Sequence, residues 1–239
     1  MEKKERLQEK IIIALDVGTK REAMALAEAL KEARVFKVGL ELFTVEGPAL
    51  LEEALRMGKR LFLDLKYHDI PNTVAGAVRS ATRNGVHMLT LHTSGGKEMM
   101  AAAARAAQEE SARTGRGRPV LLGVTVLTSL KDEELRRIGF AHAVPDQVLR
   151  LAVLAKESGL DGVVCSPHEI EIIKKECGGD FLVVTPGIRP AWAAAQDQKR
   201  IMTPAQAIAK GADYLVIGRP ITEAPSPHEA FLKVLAELS

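Results

Sequence analysis

The chain has 239 residues, 33 lysines and arginines against 31 aspartates and glutamates, and a formal net charge of +2. An apolar fraction of 46% with 27% charged residues excludes disorder, and the near-neutral balance argues against a general nucleic-acid or anionic-membrane binder. Two cysteines exclude a disulfide scaffold or zinc knot, and with no apolar window of roughly 18 residues and no secretory leader a cytoplasmic protein is expected.

Along the chain, short β-branched runs alternate with longer stretches of helical period. IIIALDV (11–17) reads as the first strand, followed by a helix over 22–33. VFKVGL (35–40) is the second strand, with helical spacing over 50–57, and RLFLDLK (60–66) and MLTLHT (88–93) are the third and fourth. A helix over 96–112 leads to the fifth, VLLGVTVLT (120–128). The long stretch 129–161 has room for an extra helix besides the one spaced over 147–158. GVVCS (162–166), FLVVTPGI (181–188) and YLVIGRPI (214–221) complete eight strands, and a helix over 228–238 ends the pattern. Gly58, Gly85, Gly159 and Gly211 punctuate helix ends.

Near-continuous apolar strands separated by helices imply a parallel sheet covered on both faces. Eight of them in strict alternation predict a single (β/α)8 barrel over residues 1–239. An open doubly wound sheet would usually carry a Gly-rich fingerprint after its first strand, and Val17-Gly18-Thr19-Lys20 has none. Ser94-Gly95-Gly96-Lys97 lacks the spacing of a nucleotide P-loop.

In such a barrel chemistry sits where strands end, so polar groups there are the informative ones. Asp16 closes strand one, and Lys37 interrupts strand two where the alternation favours an apolar residue. Asp64 and Lys66 close strand three at i and i+2, which puts both on one face, and Asp69 follows just beyond. An unpaired charge near a barrel core is very costly, so Lys37, Asp64 and Lys66 are expected to form an alternating network. A lysine between carboxylates is held as the ammonium, which suits a proton donor rather than a Schiff-base nucleophile. Strands seven and eight run into Thr185-Pro186-Gly187-Ile188-Arg189-Pro190 and Ile217-Gly218-Arg219-Pro220. Those two loops are the usual phosphate site of this fold; Arg219 offers a fork of donors and the glycines let backbone N–H groups approach an anion.

Other residues carry less. His68, inside the same polar segment, reads as a packing or solvent-exposed residue, His92 ends strand four, and the six histidines show no metal spacing, so no metal is expected. Arg113, Arg116 and Arg118 make a basic turn without interleaved aromatics, so no nucleic-acid partner is expected. Cys165 and Cys177 read as reduced bystanders, and Trp192 as a packing residue of a loop.

The segment Asp64-Leu65-Lys66-Tyr67-His68-Asp69-Ile70-Pro71-Asn72-Thr73 resembles the D-x-K-x-x-D-I-P-N-T signature of the orotidine 5'-phosphate decarboxylase family. Ile-Ala-Leu-Asp (13–16), Phe-Lys-Val-Gly (36–39), Val-Leu-Thr-Ser (126–129), Thr-Pro-Gly-Ile-Arg (185–189) and Ile-Gly-Arg-Pro-Ile (217–221) resemble its other blocks in the same order. The likeness therefore runs from strand one to strand eight, and the I-P-N-T extension is its most discriminating part. It implies cofactor-free conversion of orotidine 5'-monophosphate to UMP and carbon dioxide, the last step of UMP synthesis, by a homodimer. Position by position, it makes Lys66 the acid that protonates pyrimidine C6, sets Asp64 against the substrate carboxylate, and has Lys37 complete the line of charges and touch the ribose. Asp69 crosses a dimer interface into the partner's site, with Ile70 and Thr73 beside it. Asp16 holds ribose hydroxyls, Thr128 the pyrimidine edge, and Pro186, Arg189, Gln198, Gly218 and Arg219 complete the substrate site around the phosphate.

Two other readings compete. D-x-K-x-x-D is shared with sugar-phosphate aldolases, but a metal-dependent aldolase or epimerase needs ligands at several strand ends, and Lys37 and Lys66 beside Asp16 and Asp64 would repel a cation. A non-catalytic barrel that senses pyrimidine monophosphates would bind UMP without turnover, and it would have no need of a proton donor.

Overall fold

The computed structural model describes residues 7–193 and 202–238. Its eight strands are β1 (Ile11–Leu15), β2 (Val35–Gly39), β3 (Arg60–Tyr67), β4 (Met88–His92), β5 (Val120–Val124), β6 (Gly162–Val164), β7 (Leu182–Thr185) and β8 (Tyr214–Ile217). Each pairs in parallel with the next, and β8 returns to β1, giving the predicted closed (β/α)8 barrel. Helices fill every connection, so each strand is covered outside by a helix and inside by its neighbours across the barrel.

Strand alternation sorts the core into two parts. Ile11, Ile13 and Leu15 face the helices and join the large outer core, whereas Ile12, Val35, Phe62, Met88, Leu122 and Val184 form a separate cluster inside the barrel. The next inward position on β2 after Val35 is Lys37, and on β3 after Phe62 it is Asp64. The apolar plug thus stops one layer short of the carboxyl ends, and charge begins there.

At the opposite end two aspartates tie neighbouring strands together. Asp161, just before β6, accepts the Leu121 N–H at 2.7 Å and pairs with Arg118 at 2.8 Å. Asp213, just before β8, accepts the Val183 N–H at 2.7 Å and pairs with Lys174 at 2.7 Å. Each satisfies a strand-start donor that would otherwise be orphaned, which is the stabilising role expected of this face.

Several strands are shorter than their apolar runs. The fifth ends at Val124, leaving 125–128 in the loop that carries Thr128. The seventh ends at Thr185, because Pro186 has no N–H for the ladder and Gly187 turns the chain at φ +77°. The eighth ends at Ile217, and Arg219–Thr222 winds into a short helix with proline in its first turn. The helix read over 50–57 is preceded by another, Leu40–Glu46, and the two are broken at Gly47, whose φ of +61° suits glycine. The 129–161 stretch holds two helices, Asp132–Arg137 and Val144–Glu157, as its length suggested. Among the described residues no helix is long and apolar enough to cross a membrane.

Candidate active site

Four charges from three adjacent strands form one alternating line. Lys37 Nζ lies 3.0 Å from Asp16 Oδ1 and 3.7 Å from Asp64 Oδ2, while Lys66 Nζ lies 2.9 Å from Asp64 Oδ1. Asp64 is the hinge of the line, since its two oxygens face different lysines. Side-chain exposure is 64% at Asp16 but only 11% at Lys37, 14% at Asp64 and 29% at Lys66. The inner three are therefore interdependent: removing one leaves another largely buried charge without its partner. Gly39 leaves room for this line, because a Cβ there would sit 3.2 Å from Lys37 Nζ.

The expected network of Lys37, Asp64 and Lys66 is present, with one difference and one extension. The i, i+2 alternation does not by itself bring Lys66 beside Asp64, because β3 is irregular there. Its register against β4 shifts between Leu63 and Tyr67, and Lys66 takes a left-handed φ of +50°. Within one chain the line ends at Asp16, next to β2 across the barrel wall, and not at Asp69.

A cavity of about 310 Å³ opens over these charges at the carboxyl ends of the strands. Asp16, Lys37, Asp64 and Lys66 line it together with Thr128, Pro186, Arg189, Gly218 and Arg219. Its apolar wall comprises Phe62, Val124, Val126, Leu127, Val164 and Cys165. The volume is at the small end of the usual ligand-site range of roughly 300–1,000 Å³. Two arginines from the loops after β7 and β8 thus share one cavity with a line of four charges from β1 to β3. Such a cavity can hold an anionic group at the arginines while presenting ammonium protons to another part of the same ligand.

The remaining expected residues lie elsewhere. Asp69, Ile70 and Thr73 are exposed and do not line the cavity, and Ile70 is 67% accessible. Asp69 Oδ1 accepts the Ile70 N–H at 2.6 Å, and Pro71 then begins the helix Pro71–Arg83. Gln198 falls outside the described residues. Arg189 is buried, and its N–H donates to the Met202 carbonyl at 3.0 Å beside an Ile188–Met202 bridge, so the chain is anchored on both sides of 190–201. Trp192 is 44% exposed with the Lys233 ammonium 5.9 Å from its ring.

Sequence reasoning passed over two groups. Cys165 is no bystander in position, since it lines the cavity, but burial pushes its thiol far up and keeps it protonated. The other is Thr90 on β4, fully buried, whose hydroxyl donates to Asp64 Oδ1 at 3.0 Å and accepts the Lys66 N–H at 2.9 Å. A threonine inside an apolar strand carries no signal of its own. His68 is exposed, and its ring centroid lies 5.3 Å from that of His92. Burial, then His68 and Lys66, hold His92 below the ordinary histidine pKa, so it is neutral at pH 7. Among the described residues no group of three or more His, Cys, Asp or Glu side chains converges as a metal-ligand set.

Comparison with known proteins identifies the family and matches the fold. Residues 9–234 match the model of the "Orotidine 5'-phosphate decarboxylase / HUMPS family". The chain is 53% identical over 233 residues to orotidine 5'-phosphate decarboxylase of Moorella thermoacetica, covering 97% of this chain and 92% of that one. It is 50% identical over 234 residues to the protein of the same name from Gloeothece citriformis, covering 98% and 99%. Among solved structures, orotidine 5'-phosphate decarboxylase of Lactobacillus acidophilus superposes with a TM-score of 0.87 at 36% identity, covering 97% of this chain and 99% of that one.

Proposed function

Because the chain belongs to the orotidine 5'-phosphate decarboxylase / HUMPS family and carries its carboxy-lyase activity on orotidine 5'-monophosphate, we propose that Lys66 drives the reaction as the proton donor, without metal or organic cofactor. The observation that carries this reading is the pair of lysines held on either side of Asp64 in the cavity that Arg189 and Arg219 also line.

Loss of carbon dioxide from C6 leaves an electron pair in an sp² orbital that the pyrimidine π system cannot delocalise. Such a step is extremely slow in water, and the enzyme must lower its barrier by about 23 kcal/mol, near the top of the usual range. A fixed ammonium beside C6 stabilises that charge as it develops and needs no reorganisation at the moment of reaction. As the C6–carboxylate bond breaks, its electron pair stays on C6 and takes a proton from Lys66. UMP and carbon dioxide leave, and the neutral amine regains a proton from solvent. Asp64, bonded to both lysines, aims the Lys66 ammonium and sits against the substrate carboxylate. Lys37 and Asp16 meet the ribose, and Thr128 meets the pyrimidine edge. Arg189 and Arg219, with Pro186 and the Gly218 backbone, take the phosphate. Binding energy from that remote group orients the base over Lys66.

Asp69, Ile70 and Thr73 lie outside their own cavity on an exposed corner. This supports their reaching the site of a second copy in a cytoplasmic homodimer, with Asp69 adding a carboxylate to the partner's line of charge.

The test follows the ultraviolet band of orotidine 5'-monophosphate on adding the purified protein with excess EDTA present. Steady loss of the band with UMP as the product is expected. Turnover that stops with EDTA and returns with a divalent metal would overturn the cofactor-free reading.

A further inference from the structure

We propose that Thr90 is a positioning residue for the proton donor, its hydroxyl holding the turn of β3 that aims Lys66. The inference rests on the reading of Lys66 as the acid. Leu63 pairs with Leu89 and Tyr67 with Leu91, so residues 64, 65 and 66 of β3 stand opposite Thr90 alone. A stretch bulged in this way loses its ladder partners and needs others. At its end, Lys66 is the one non-glycine residue with positive φ among those described, a conformation that a residue with a side chain keeps only where its surroundings hold it.

Thr90 supplies the hold. Its oxygen accepts the Lys66 N–H at 2.9 Å and its proton goes to Asp64 Oδ1 at 3.0 Å, the same oxygen that receives Lys66 Nζ at 2.9 Å. One hydroxyl therefore closes a ring through the backbone of Lys66, the carboxylate of Asp64 and the ammonium of Lys66. Both ends of the lysine are referred to one point on β4. Thr90 has no accessible surface and does not line the cavity, so it acts through Lys66 and Asp64 and not on the substrate. Valine has the same shape but can neither accept nor donate, whereas serine can do both.

The experiment compares Thr90→Val, Thr90→Ser and Thr90→Ala, with Lys66→Ala alongside. Thr90→Ser should retain most of the kcat. Thr90→Val and Thr90→Ala should fall below it by roughly 10- to 100-fold, the loss expected when a hydrogen bond to a charged group is removed. KM for orotidine 5'-monophosphate and the affinity for UMP should stay close to the parent values, because the contacts with ribose and phosphate are untouched. If Thr90→Val does not fold, the serine and alanine variants decide, since both lack the methyl and differ only in the hydroxyl. Equal kcat in those two, or a loss confined to KM, would overturn the role of Thr90 while an inactive Lys66→Ala leaves the acid in place. Turnover by Lys66→Ala would overturn the acid reading and this inference with it.

Discussion

A charge placed in an apolar run of sequence has to be answered by another charge, and that requirement organises this site residue by residue. Lys37 is 11% exposed because two carboxylates flank it, and Asp64 is 14% exposed because two ammoniums do. These residues were legible in the sequence for that reason: VFKVGL and RLFLDLK break their own alternation only with groups that need partners. Arg219 is a different case, since a Gly-Arg-Pro turn also occurs on ordinary surfaces and only its place after the eighth strand marks it. Its replacement tests the assignment. Arg219→Ala should raise KM by roughly 10- to 100-fold with a smaller change in kcat, because a charge-assisted contact to phosphate contributes about 1.5–3 kcal/mol. Initial rates across substrate concentration read this directly, and an unchanged KM would place the phosphate elsewhere.

At the scale of the elements, strand ends and helix pairs carry consequences that local patterns do not reveal. Apolar runs overestimate strands five, seven and eight because hydrophobicity continues past the last paired residue into the cavity wall, as Val126 and Leu127 do after Val124. Burial against a ligand site and burial in a core look alike in one dimension. The helices Pro71–Arg83 and Gly96–Thr114 show the same limit with a charge. Glu110 is buried between them, bonded to Arg113 at 2.6 Å and 3.6 Å from Arg83. The hydrogen bond from Arg113, aided by the arginine charges, holds its carboxyl below the ordinary glutamate value of 4.5. The folded state therefore binds this proton less readily than the unfolded chain. Its stabilising contribution is present above pH 4.5 and is lost as pH falls through the lower folded-state value. Glu110→Gln should accordingly lower the urea midpoint at pH 7, with the difference from the parent shrinking well below pH 4.5. A difference that stays constant with pH would mean that Glu110 contributes through packing and not through its charge. Kinetic constants at pH 7 should not move, as the residue lies away from the cavity.

For the molecule as a whole, closing eight strands into a ring brings β8 beside β1 and sets the arginine loops next to the charged strands. No stretch of the chain contains both halves of the site. The expected dimer extends the same logic to a second copy, with each site made of Lys66 from one chain and Asp69 from the other. Mixing Asp69→Ala with Lys66→Ala chains tests it. A heterodimer would hold one site with both residues intact and one with neither, so activity well above that of either variant alone is expected once exchange is verified. No recovery in verified heterodimers would confine each site to one chain.

The sequence by itself determined the number and order of the strands, the barrel, the family, and the charged residues that meet in the cavity. All of these rest on periodicity and residue type, which the chain displays in one dimension. The tertiary structure decided what depends on a neighbour across the sheet. It joined Asp16 to Lys37, it set three residues of β3 against the single Thr90, and it brought Lys66 beside Asp64 through a left-handed turn where simple alternation was expected. A bulge exists only relative to the strand beside it, and a hydroxyl becomes a clamp only when that strand carries it to the gap.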